Sequence, residues 1–114
     1  MTRIFVVGGG DSHATSLRAS LGGCQVDFFE SDVAVLCHLK TASEAPDLVL
    51  VNGTLMMHEA SELVRDLKEY PLLTKSRFVV MDPLREDLPE LEELRVPLGR
   101  KPVTAEQIRA FLNR

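Results

Sequence analysis

Apolar residues along this chain fall into two patterns: runs in which every position is apolar, and stretches in which apolar positions recur at three or four. The clearest run is Asp47-Leu48-Val49-Leu50-Val51-Asn52-Gly53. Successive side chains of a strand point to opposite faces. Four consecutive branched residues therefore describe a strand covered on both sides, the condition of an inner strand in a parallel sheet. Pro46 and Asp47 open it, and Asn52-Gly53 close it with turn chemistry. Arg3 to Val7 is a second two-faced run. Cys24 to Phe29 and Arg77 to Met81 complete four strands, the last broken by Asp82-Pro83. A shorter fifth strand is expected over Arg95 to Leu98.

The recurring stretches lie between these strands. Asp11 or Ser12 is a candidate cap for a helix carrying Leu17 and Leu21, which Gly22-Gly23 end. Ser31 or Asp32 caps a second helix, with Val33, Leu36, Cys37 and Lys40 at helical spacing. Leu63, Val64 and Leu67 share a face of a third, from about Met57 to Tyr70, which Pro71 ends. The acidic segment 84–94 carries Leu84, Leu88, Leu91 and Leu94 and predicts a short, less regular helix around Pro89. Thr104 caps the last helix, whose buried face is Ile108, Phe111 and Leu112. Strands alternating with helices predict right-handed crossovers. The expected fold is α/β: a doubly wound, five-stranded parallel sheet in the order 2-1-3-4-5, flanked by helices as a three-layer sandwich, in one domain over residues 1–114. Ligands of such sheets gather at the carboxyl ends of the strands, where strand order reverses. Asn52 sits at that position.

Composition narrows the chemistry. Hydrophobic residues make up 45% and charged residues 26%, the balance of an ordinary globular protein. The net charge of −4 argues against nucleic acid, whose phosphates need clustered Lys and Arg. No apolar run approaches the ~20 residues needed to cross a bilayer, and the first ten residues do not read as a signal peptide. A cytoplasmic location is expected. Cys24 and Cys37 lack metal spacing and read as reduced core thiols, with a disulfide between them as the alternative.

At this point the chain resembles the receiver domain of bacterial response regulators, the family to which CheY belongs. Arg3-Ile4-Phe5-Val6-Val7 matches the first receiver strand, Asp47 to Val51 the third and Phe78-Val79-Val80-Met81 the fourth. Lys101-Pro102-Val103 before a capped helix resembles the Lys-Pro signature that follows the fifth. The departures fall on the reactive set. Receivers place two acids after the first strand to hold Mg²⁺, where this chain has Gly8 and Gly9. They place the phosphate-accepting Asp at the end of the third strand, where this chain has Asn52. The hydroxyl residue after strand four corresponds to Asp82, and the aromatic switch residue of strand five aligns with Leu98. Lys101 alone remains.

An Asn amide is a poor substitute for the carboxylate nucleophile of aspartyl phosphorylation. Mg²⁺ prefers oxygen ligands and usually recruits carboxylates, which Gly8 and Gly9 cannot supply. An Asp82 carboxylate would repel phosphate oxygens. The resemblance thus implies a degenerate pseudo-receiver: not an enzyme, with no catalytic residue, no metal and no cofactor. Its pocket would be Gly8, Gly9, Asn52, Asp82 and Lys101. It would act through protein partners, a second copy of the chain in a homodimer being one option, in a bacterial regulatory pathway. The expected partner surface is the helix over 84–94, the fifth strand and the last helix, through Glu90, Glu93, Arg95, Leu98 and Arg109. With the phosphate gone, Asp82 and Lys101 are expected to pair, with Lys101 reaching solvent as the alternative.

Other readings use the same residues. Gly8-Gly9-Gly10 could cradle an anion at a helix start, though it lacks the spacing of a P-loop or of G-x-G-x-x-G. The chain would then be a small-molecule binding domain for a nucleotide, flavin or cobalamin. Asp11-Ser12-His13 is similar to the start of the D-x-H-x-x-G signature of cobalamin-binding domains, but Ser16 replaces its glycine. His38 and His58 lack a partner at metal spacing and read as solvated.

Overall fold

Residues 48–52 are buried without exception, Asn52 included, as a strand covered on both faces must be. The computed structural model describes residues 2–8, 15, 18–19, 22–53, 60–100 and 104–113. Its strands are β1 (Arg3–Val7), β2 (Gln25–Phe29), β3 (Leu48–Asn52), β4 (Arg77–Met81) and β5 (Leu98–Gly99). All pair in parallel, in the order β2-β1-β3-β4-β5. The helices are α1 (Asp32–Leu39), α2 (Ala60–Lys68), α3 (Leu88–Glu93) and α4 (Ala105–Leu112), with 3-10 turns at Pro71–Leu73 and Arg85–Asp87. Thr15, Arg18 and Ala19 are also helical.

Strand periodicity divides the apolar runs between two cores. Phe5, Val7, Val49, Val51, Phe78 and Val80 pack on one side, against Leu63, Val64 and Leu67 of α2 and Leu91 of α3. Ile4, Val6, Leu48, Leu50, Val79 and Met81 pack on the other, against Ile108 and Phe111 of α4. Complete burial of each such side chain is worth about 1.5–3 kcal/mol, so the alternation fixes both register and layer order. Asp47 ties the strand starts together: its carboxylate accepts the Arg3 N–H at 2.9 Å, and its own N–H donates to the Arg3 carbonyl at 2.8 Å.

Two elements differ from expectation. Helix α1 buries Val35 and Leu39 and leaves Val33 and Cys37 exposed. Its sequence, DVAVLCHL, is apolar on more than one stripe, so spacing alone could not choose the face. The phase is set by Ser31, whose Oγ accepts the Ala34 N–H at 3.2 Å. Cys37 is therefore a surface thiol rather than a core one, Cys24 is half-buried, and both are free. His38 is exposed, yet its ring rests against Phe5 and Phe29 at centroid distances of 5.6 and 5.1 Å.

The second difference is β5, expected over residues 95–98 and found at Leu98–Gly99. Arg95 and Val96 belong instead to the closure of α3. The Arg95 N–H donates to the Glu92 carbonyl at 3.0 Å and the Val96 N–H to the Leu91 carbonyl at 3.1 Å. With Arg95 at φ +57°, this is a Schellman cap. Leu91 and Val96, three residues from the helix end and two beyond it, are both buried in the same core, the apolar contact that accompanies such caps. Pro97 has no N–H to give to a ladder, and the sheet resumes through its carbonyl, which accepts from Val80 at 3.1 Å.

Candidate functional site

The register brings the expected pocket positions to one edge. Val7 pairs with Val51, Asn52 with Met81, and Met81 with Gly99. Gly8, Asn52, Gly53 and Asp82 therefore follow one another along the carboxyl ends of β1, β3 and β4. Gly9, Gly10, His13, His58 and Lys101 lie outside the described residues, and with them the expected Asp82–Lys101 pair.

The backbone at this edge is drawn in tightly. Gly8 is buried at φ +76°, a left-handed conformation that favours glycine. Its N–H donates to the Phe29 carbonyl at 2.8 Å, so this amide is turned into the sheet rather than offered to an anion. Gly53 donates to the Met81 carbonyl at 2.8 Å, and a Cβ there would lie 2.6 Å from the Pro83 Cα and 3.0 Å from the Asp82 carbonyl oxygen. Only glycine lets the end of β3 pass this close under the turn after β4. Asp82 itself stands at φ +49°, where Asp and Asn are the most frequent residues after glycine, and its N–H donates to the Gly99 carbonyl at 2.9 Å.

Gly8 and Asn52 are poor partners for the Mg²⁺ that receivers hold at this edge, which leaves Asp82 as its described carboxylate. At Gly8 the edge offers no side-chain oxygen, and its amide faces inward; at Asn52 it offers a neutral amide in place of a carboxylate. Among the described residues, no three His, Cys, Asp or Glu side chains gather as a metal site.

The positions expected to meet a partner do not form one charged patch. Glu90 is half-buried and forms an ion pair with Arg65 of α2, within the molecule. Glu93, Leu98 and Arg109 are exposed; Arg95 is exposed at the opposite, amino edge. What occupies the middle of this face is apolar. Leu84, Leu88 and Leu98 stand 45, 38 and 47% exposed. A recess of about 820 Å³ runs across β5 between α3 and α4, with Leu88, Leu98 and Ala110 in its lining beside the polar Asp82, Arg100 and Gln107.

Sequence reasoning missed a buried polar joint near that face. Asp87, 2% exposed, accepts a hydrogen bond from Ser61 Oγ at 2.9 Å, tying the 3-10 turn before α3 to α2. No local pattern in the sequence separates Asp87, an acid facing α2, from its exposed neighbours Glu86 and Glu92.

No helix among the described residues is long and apolar enough to cross a membrane. No family model and no curated protein matches the sequence. Solved structures do match its fold. A CheY-like receiver domain from Methylobacillus flagellatus is similar with a TM-score of 0.82 and 23% identity, covering 99% of this chain and 97% of that one. One from Methanospirillum hungatei JF-1 gives 0.81 and 19%, covering 99% and 94%. The chemotaxis response regulator CheY4 of Vibrio cholerae gives 0.79 and 15%, covering 100% and 98%. With the same strand order and nearly complete coverage on both sides, the fold of this chain is that of the CheY-like response-regulator receiver domain.

Proposed function

We propose that this chain is a receiver-like signalling module that works without phosphorylation and without catalysis, by docking a protein partner. The observation that carries the reading is Asn52, buried at the carboxyl end of the central strand where receivers carry their acceptor carboxylate. An amide there does not form the acyl phosphate, and Gly8 beside it has neither the side chain nor the backbone direction to hold the metal. The docking surface under this reading is the recess across β5, with Leu88 and Leu98 as its apolar anchors and Glu93 and Arg109 as charges on the surrounding face. Apolar anchors supply affinity, while charges at the margin govern orientation and association rate.

Incubation with acetyl phosphate and millimolar Mg²⁺, followed by intact mass spectrometry, tests the chemistry. No adduct is expected, for the natural chain or for Asn52→Asp; a stable phosphorylated species of the natural chain would falsify the reading. Light scattering over a concentration series tests the docking, a second copy of the chain being the first partner to try. Leu98→Glu should weaken self-association or partner capture with the fold unchanged. If Leu98→Glu changes neither and a charge reversal on α1 does, the docking face is elsewhere.

A further inference from the structure

At the opposite, amino edge of the sheet a second recess of about 390 Å³ opens between the start of β4, the end of α2, the α3–β5 connection and the end of α4. Its walls include Leu73, Phe78, Val96 and Phe111, and three cations line it: Lys68, Arg77 and Arg95. Among the described residues no acidic one lines it, in a chain with 17 acids against 13 bases. Two of the cations are held in place by main-chain oxygens. Lys68 Nζ donates to the Leu94 carbonyl at 3.1 Å and lies 5.8 Å from the centre of the Phe78 ring. Arg77 Nη1 donates to the Phe111 carbonyl at 2.8 Å. An ammonium has three donors and a guanidinium five, so each keeps donors for a ligand. Arg95 is positioned by the left-handed turn that caps α3. Among the described residues none of the three has an ion-pair partner.

We propose that this recess binds a small organic anion with an aromatic body, of the arylcarboxylate class. Volume and lining match the common form of small-molecule sites, a mostly apolar hollow with a few convergent polar groups. A wholly polar anion would leave the Leu73, Val96 and Phe111 walls without contact. A neutral aromatic would bury three cations against nothing of opposite sign. An aryl group against the apolar walls with its carboxylate towards the guanidinium groups satisfies both sets, since Arg pairs with carboxylate through two parallel hydrogen bonds. The site is independent of the phosphorylation question, because it uses none of the residues at the carboxyl edge.

The test is an amide-shift NMR titration of the whole chain with 1-naphthoate, its neutral analogue 1-naphthamide, and inorganic phosphate. Saturable shifts at Thr74, Phe78 and Val96 are expected with naphthoate, with affinity at least about tenfold above naphthamide, and none that saturate with phosphate. Lys68→Met and Arg95→Gly should each weaken naphthoate by about fivefold to tenfold. Glycine suits the turn at position 95, so the second variant keeps the fold intact. The proposal is overturned by equal binding of naphthamide, by equal binding of phosphate, by shifts centred on Leu88 and Leu98 instead, or by the absence of saturable binding at millimolar naphthoate.

Discussion

The two edges of this sheet are built in opposite ways. At the carboxyl edge the backbone closes on itself: Gly8 turns left-handed, Gly53 slides beneath Pro83, and Asn52 is sealed in. At the amino edge the chain leaves a hollow open between segments and rims it with Lys68, Arg77 and Arg95. Strand order makes the carboxyl edge the expected place for ligands in a doubly wound sheet. Here the carboxyl edge borders the recess across β5 with charges of both signs, Asp82 and Arg100, while the amino edge gathers three cations, and no acid among the described residues, around its own. A topological rule says where loops converge, and the side chains decide whether anything is held there.

Substitutions should separate the edges by their cost. The largest effect is expected from Gly53→Ala, because a Cβ at 2.6 Å from the Pro83 Cα forces main chain to move. A loss of about 2 kcal/mol or more in urea unfolding is expected, and a loss below about 0.5 kcal/mol would mean that the carboxyl edge yields easily to an added methyl group. Gly8→Ala should cost about 1–2 kcal/mol, the usual difference for a Cβ in the left-handed region. Arg95→Gly at the other edge should have the opposite sign and raise stability by up to about 1 kcal/mol, since the same turn is relieved rather than burdened. Smallest is Glu90→Gln. Its partner Arg65 is 52% exposed and solvent screens the pair, so a change of about 0–1 kcal/mol is expected. A larger loss there would make α2 and α3 a more tightly joined unit than the geometry indicates.

Sequence made some of this legible and hid the rest for identifiable reasons. β1 and β4 have the bounds that their apolar runs predict, and Thr104 caps α4 as expected, its Oγ1 accepting the Gln107 N–H at 3.2 Å. These features are encoded within a few neighbouring residues. The face of α1 was not legible, because its apolar stripes compete and one capping hydroxyl decides between them. The start of β5 was obscured by Arg95 occupying a cap position where glycine is the usual signal. At the candidate site, the order of Gly8, Asn52 and Asp82 along the edge followed from strand order alone. The closeness of Gly53 to Pro83 did not, because it depends on the register between β3 and β4. The amino-edge recess had no sequence signature at all. Its lining comes from four separated segments that meet only through the sheet.

The brevity of β5 also bears on how the molecule opens. Two residues anchor that side of the sheet, whereas β3 is flanked by full-length strands and buried throughout. Amides of β3 should exchange with solvent only when the whole domain unfolds, while those of Leu98 and Gly99 should exchange through smaller excursions in which β5 and α4 lift together. Phe111 of α4 borders both recesses, the one across β5 and the one at the amino edge. Anything seated in either hollow would hold that ring, and with it the helix, against the sheet. Occupancy would then register as slowed amide exchange along the whole β5–α4 border, on the far side of the ring from the occupant.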